Sequence, residues 1–217
     1  MPHLDAESLI QHVTVHLADS LPKTAIDRIE DSMDGMPGDR RQIEQRKRLH
    51  EWIDAGHGSC ILRNPDIALM VQNTFLHFDH ARYHLHAWVV MPNHFHVLFQ
   101  PINGWSLAKI VASWKEFTAR RIGDYLRSAH QKIDTPENAN QEIGVPGSAD
   151  QKIDGPGNDN PPVEGKTVWH HEYWDRHIRN EQHYAKTVSY IHNNPVAAKL
   201  IARAEDCPWS SVGGAKV

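Results

Sequence analysis

Residues 84–100, HLHAWVVMPNHFHVLFQ, constrain this chain more than any other stretch. Two runs rich in β-branched, aromatic and other apolar residues, 84–91 and 94–100, flank the corner Pro92-Asn93. Such side chains favour strands and a proline-asparagine corner reverses the chain, so the stretch predicts a tight antiparallel pair. Side chains alternate faces along a strand: His94 and His96 point one way, Phe95 and Val97 the other. Two imidazoles on one face supply two ligands for a metal ion, and a third is needed to leave an open side for substrate. The chain holds 17 His, and His12, His16, His84 and His86 also fall on alternate strand positions. Spacing alone therefore does not separate a metal site from chance.

Elsewhere the predicted elements are short and change type. IQHVTVHL (10–17) alternates as a half-buried strand. DRRQIEQRKRLHEWIDAG (39–56) reads as a helix stopped by Gly56, and CIL (60–62) as a short strand. Asn64-Pro65-Asp66 opens a helix with a capping side chain and a proline at its first position. Ile67, Val71, Phe75 and Phe78 line one face of that helix. A further helix runs from Ser106 to about Ala129. An aromatic segment, VWHHEYWDRHIR, leads to a last helix opened by Asn180 and ending near Pro195. The order predicts an α+β fold: an antiparallel sheet with helices packed on it.

The 217 residues suit one domain spanning 1–217 and interrupted at 131–166. That stretch is rich in Pro, Gly and polar residues and repeats the tetrad QKID at 131 and 151. It is too poor in apolar side chains to offset its ordering entropy, and reads as a disordered low-complexity insertion. It also carries the whole net charge of −4, with three Lys against seven acids. The remainder is neutral, so overall charge does not exclude a polyanionic partner. Two distant cysteines, Cys60 and Cys207, read as reduced core thiols. No apolar run approaches membrane-spanning length, and the start of the chain lacks a secretory pattern. A cytoplasmic protein without a membrane partner is expected.

In the final helix, NEQHYAKTVSYIHNNPVAAKL, Tyr190 and Asn194 are four residues apart, which puts phenol and carboxamide on one face. Packing and helix termination account for the same pair. Basic residues cluster on two helices: Arg40, Arg41, Arg46, Lys47 and Arg48 on one, Lys109, Lys115, Arg120, Arg121 and Arg127 on the other.

VVMPNHFHVLFQP, SWKEFTARR, VWHHEYWDRHIR and YIHNNPV, in this order, resemble the REP-associated tyrosine transposases, relatives of the single-tyrosine HUH (His–hydrophobe–His) transposases. The resemblance runs from about residue 9 to 212, with 131–166 unmatched. It implies a ferredoxin-like antiparallel core, His94 and His96 as metal ligands, Tyr190 as nucleophile and Asn194 as third ligand. Where relatives carry glutamine, this chain has asparagine, one methylene shorter, with water-mediated contact as the fallback. It further implies a divalent ion, Mg²⁺ or Mn²⁺, and single-stranded or hairpin DNA carrying REP-like repeats as partner. Relatives occur as monomers and as homodimers. For DNA contact the expectation falls on Lys115, Arg121, Arg40, Arg41, Arg176 and Arg179, with Trp169, Tyr173 and Trp174 as stacking platforms or core.

The implied activity is single-strand cleavage by Tyr190 through a 5′-phosphotyrosine, followed by strand transfer. The alternative is a DNA-structure-binding or repressor protein that keeps the fold without catalysis. A histidine-nucleophile nucleotidyl enzyme would need a third histidine at position 98, which is Leu. A replication initiator or relaxase shares the histidine pair, but the HNNPV tail does not suit it.

Overall fold

The computed structural model describes residues 9–133 and 167–213. In chain order these form β1 (Gln11–His16), α1 (Lys23–Asp31), α2 (Gly38–Asp54), α3 (Pro65–Leu76), β2 (Tyr83–Val90), β3 (His94–Pro101), α4 (Leu107–Ile133), β4 (Trp174–His177) and α5 (Glu181–Ala197). Helix α4 takes in the first three positions of the predicted insertion, and its remainder, 134–166, lies outside the described residues.

The four strands form one sheet in the order β2-β3-β1-β4, with every ladder antiparallel. Strand, helix, two strands, helix, strand, with β1 and β3 central, is the ferredoxin-like arrangement expected. The alternation read for residues 94–100 divides its two faces. Phe95, Val97 and Phe99, with Val13 and Val15 of β1, pack against Ile67, Val71 and Phe75 of α3 and Ile110, Val111 and Trp114 of α4. On the opposite face Val89 and Leu98 pack against Ile191 of α5. His94 and His96 belong to this second face, so the helix carrying Tyr190 lies over the strand carrying the imidazoles.

Local chemistry explains the element ends. Asn64 caps α3 by accepting from the Asp66 and Ile67 amides, and Pro65 begins the helix. Asn180 caps α5 by accepting from the His183 amide. Pro195 does not end α5 directly; the helix runs two residues further. Its close is a Schellman turn, with Leu200 N–H bonded to Pro195 O, Lys199 N–H to Val196 O, and Lys199 left-handed at φ 57°.

Three elements depart from the sequence expectation. Residues 60–62 are not a strand: Ile61–Arg63 form a 3₁₀ turn. Asn64 must already cap α3, which leaves no length for a ladder, and Leu62 N–H instead bonds Pro92 O. Helix α1 was not predicted, since it buries only Ala25 and Ile29. Strand β4 was not predicted either, being four residues, WDRH, half-exposed apart from the exposed Arg176; their pairing with β1 comes only from tertiary contact. Among the described residues no helix is long and apolar enough to cross a membrane.

Candidate active site

The β2–β3 corner does more than reverse the chain. Asn93 is fully buried, and its amide nitrogen donates to Ile53 O (3.0 Å) and His57 O (2.9 Å). That fixes which end of the amide faces His94: Oδ1 lies 2.8 Å from His94 Nδ1 and accepts its N–H. A neutral His94 therefore presents its Nε2 lone pair. Across the β1–β3 ladder, Thr14 Oγ1 lies 2.8 Å from His96 Nδ1. The two Nε2 atoms converge to 3.1 Å. Two ligands ~2.1 Å from one metal, at octahedral or tetrahedral angles, stand ~3.0–3.4 Å apart.

Both rings are fully buried. Burial, then the neighbouring His50 and His16, lower His94 to about 3. Burial, followed by His94, His12 and His50, holds His96 well below the usual range. Neutral imidazoles are the form that ligates metal.

Helix α5 brings its one-face pair to this point. Asn194 is buried, and its amide nitrogen lies 3.3 Å from His96 Nε2. Its Oδ1 is buried with no hydrogen-bond partner among the described residues. Turning the amide over would present that oxygen to the imidazoles. The Tyr190 ring stands edge-on to His96, with centroids 5.2 Å apart, and its hydroxyl donates to Asp54 Oδ2 at 3.2 Å. Desolvation and the Asp54 carboxylate raise the phenol above its ordinary value.

Asp54 was not singled out in the sequence. It is the last residue of α2, and its other oxygen, Oδ1, lies 3.4 Å from His94 Nε2 and 4.0 Å from His96 Nε2. Desolvation raises its pKa, against hydrogen bonds from Asn194 and Tyr190 that lower it. Oδ1 too is buried without a hydrogen-bond partner among the described residues. A buried acceptor left unsatisfied costs ~1–3 kcal/mol, more when charged. Asp54 Oδ1 beside the two imidazole nitrogens is a donor set that a divalent cation fits, and Asn194 Oδ1 joins it if the amide is turned over. No sequence signal marks Asp54, because only the docking of α2 against the sheet brings it here.

The basic residues divide by position. Arg176 of β4 is exposed and is the ladder partner of His12, which places it on the face that carries the histidine pair. Arg179 lines a cleft at the start of α5 with Asn180, Gln182, His183 and Lys186. Arg40 is exposed on α2, and Arg41 is held toward α1 by Glu30 O (3.5 Å) and Asp34 (3.9 Å). Lys115 donates to His170 O and His171 O, each at 2.8 Å, tying α4 to the segment before β4. Arg121 lines a groove between α3 and α4 with Leu69, Phe117 and Tyr125, behind the sheet from the imidazoles. Trp169 is core, its indole N–H bonded to Thr118. Trp174 faces the site side, packed on His16 and His50, and Tyr173 packs partly buried against the main core.

Comparison with known proteins gives two matches. A family described as "Transposase IS200 like" matches residues 68–137, a stretch that includes His94 and His96 but ends before Tyr190. No curated protein matches the sequence. A solved structure of a REP-associated tyrosine transposase bound to a REP hairpin is similar in fold, with a TM-score of 0.56 at 15% identity. The match covers 98% of this chain and 82% of that one. The chain is thus similar to the IS200-like transposases over residues 68–137 and similar in fold to a REP-associated tyrosine transposase.

Proposed function

We propose that this protein is a transposase-like single-strand DNA endonuclease and strand transferase, with Tyr190 as nucleophile. The observation that carries the reading is the convergence of four side chains from two distant parts of the chain. His94 and His96 come from the sheet, Tyr190 and Asn194 from the tail helix, and the rings of His96 and Tyr190 are 5.2 Å apart. These four side chains lie close together within one chain. A homodimer remains compatible with this reading.

His94, His96 and Asn194 would hold a divalent cation, Mg²⁺ or Mn²⁺. When bound, the ion polarises the scissile phosphate and offsets charge developing at phosphorus. Tyr190 Oη attacks that phosphorus, the new Oη–P bond forms and the P–O3′ bond breaks, leaving a 5′-phosphotyrosine and a free 3′-hydroxyl. The phenolic proton is lost as the leaving 3′-oxygen gains one. At an ordinary phenol pKa, forming phenolate at pH 7 costs ~4 kcal/mol, and the surroundings of Tyr190 increase that cost. Reversal by a second 3′-hydroxyl joins strands without ATP.

The DNA partner in this reading is a hairpin, as in the solved structure of similar fold, or a single strand. Arg176 and Arg179 stand on the side of the histidine pair and are the phosphate contacts it favours, with Arg40 more peripheral. Arg41 and Lys115 hold intramolecular partners, and Arg121 lies behind the sheet. The chain acts as one domain in this reading, with the insertion at 131–166 outside the chemistry.

The decisive experiment is mass spectrometry after incubation with a hairpin oligonucleotide and Mn²⁺. A nucleotide attached to Tyr190 is expected, and Tyr190→Phe should bind the hairpin yet form no adduct. Binding with no adduct in the unaltered protein would favour the alternative, a DNA-structure-binding or repressor protein without catalysis.

A further inference from the structure

We propose that Asp54 is a fourth ligand to the same cation and, through its second oxygen, the residue that positions Tyr190 beside it. This rests on the metal-dependent reading above and extends it to a residue of α2, outside both the histidine strand and the tyrosine helix.

The first observation is how firmly Asp54 is placed. Its neighbour Ile53 is buried, and Ile53 O accepts from Asn93, the residue that also accepts from His94. One residue further back, the Trp52 indole N–H donates to Ser20 O at 3.1 Å. The end of α2 is thus pinned to the corner that orients His94 and to the loop after β1. Asp54 is delivered to the imidazoles rather than left at a fraying end.

The second observation is the mismatch at Oδ1. Asn93 spends both amide protons on backbone carbonyls, so its oxygen must accept the His94 Nδ1 proton. His94 Nε2 then carries a lone pair, aimed at a carboxylate oxygen 3.4 Å away. A neutral His94 cannot donate to Asp54. With Asn194 Nδ2 facing it at 3.3 Å, His96 Nε2 is an acceptor as well. Three acceptors, one of them anionic, face one point, and Asn194 Oδ1 joins them if its amide turns. A cation satisfies that arrangement with an N₂O₂ set, which the hydrogen bond from Tyr190 to Oδ2 does not do for Oδ1.

The third observation is the division of labour within the carboxylate. Oδ2 accepts from the Tyr190 hydroxyl at 3.2 Å while Oδ1 faces the imidazoles. One rigid group therefore spans nucleophile and cation site, so that filling the site and aligning the phenol are linked events.

The test is Mn²⁺ titration by calorimetry into the full chain stripped with chelator, with thermal midpoints measured with and without the ion. Asp54→Asn should bind Mn²⁺ at least ~10-fold more weakly, Asp54→Glu should recover part of that loss, and Tyr190→Phe, which removes only the hydroxyl that Oδ2 accepts, should change affinity less than Asp54→Asn does. Without metal, Asp54→Asn should melt no lower than the parent, because it removes a carboxylate whose Oδ1 is buried with no hydrogen-bond partner among the described residues. Its stabilisation by Mn²⁺ should shrink in step with affinity. Undiminished Mn²⁺ affinity in both Asp54→Asn and Asp54→Glu would overturn the proposal while leaving the His94–His96 site intact. Failure of the unaltered chain to bind Mn²⁺ would instead overturn the metal reading itself, and this proposal with it.

Discussion

Thr14 Oγ1 lies 2.8 Å from His96 Nδ1, across the ladder that pairs β1 with β3. The hydroxyl of one central strand thereby sets which nitrogen of the neighbouring strand's imidazole is free. Accepting the Nδ1 proton turns the Nε2 lone pair toward His94, Asp54 and Asn194. Ligating histidines depend on such partners for tautomer and ring orientation.

Thr14→Val keeps the branched shape and removes the acceptor. His12 Nε2, 3.3 Å from the same nitrogen, is a longer substitute. The variant should lose ~10-fold in Mn²⁺ affinity, and ~1–3 kcal/mol of stability from an unsatisfied buried N–H. Calorimetric titration and urea unfolding check both. Affinity equal to the parent's would show that His96 needs no partner at Nδ1.

Removing the imidazoles tests the site more bluntly. His94→Ala with His96→Ala, or EDTA treatment, should abolish cleavage of a hairpin oligonucleotide while leaving its binding within a few-fold. Mg²⁺ or Mn²⁺ should restore the chelated protein, as suits a site open to phosphate oxygens. Gel assays of nicking and band shift separate the two effects, and persistent nicking in the double variant would remove the cation from the mechanism.

The buried histidines also fix a pH dependence. His16 and His94 are lowered to about 4 and about 3, in both cases chiefly by burial. Their unfolded value is near 6.5, so between these limits the unfolded chain binds more protons than the folded one, and stability rises with pH. The contribution is complete above ~6.5 and is lost progressively as pH falls from there toward the folded values. In EDTA, lowering the pH from 7.5 to 5 should cost ~2–4 kcal/mol, or ~5–10 °C in melting temperature. A flat melting temperature over that range would mean these rings are not neutral by burial.

Arg176 and Lys115 should behave oppositely on substitution. Arg176→Ala removes an exposed cation on the histidine face, so hairpin affinity should drop several-fold and the salt slope should flatten by about one. Lys115→Met removes two bonds to backbone carbonyls, so it should lower the melting temperature and leave the salt slope unchanged. Fluorescence anisotropy at several salt concentrations distinguishes them. A changed slope for Lys115→Met would make that lysine a phosphate contact.

What the sequence determined by itself was local periodicity and corner chemistry. Alternation along 94–100 put both imidazoles on one face, Pro92-Asn93 fixed the reversal, Asn64-Pro65 and Asn180 opened two helices, and the four-residue interval put Tyr190 and Asn194 together. Those features depend on neighbours within a turn or a strand, which a sequence displays. Tertiary structure alone decided the rest. The four residues of β4 become a strand because β1 offers an edge, and Lys115 becomes a strut because the segment before β4 passes over it. Asp54 meets the histidines only because α2 docks on the β2–β3 corner. Its carboxylate lies 40 residues from His94 in the chain, and no local pattern encodes an approach that packing alone enforces.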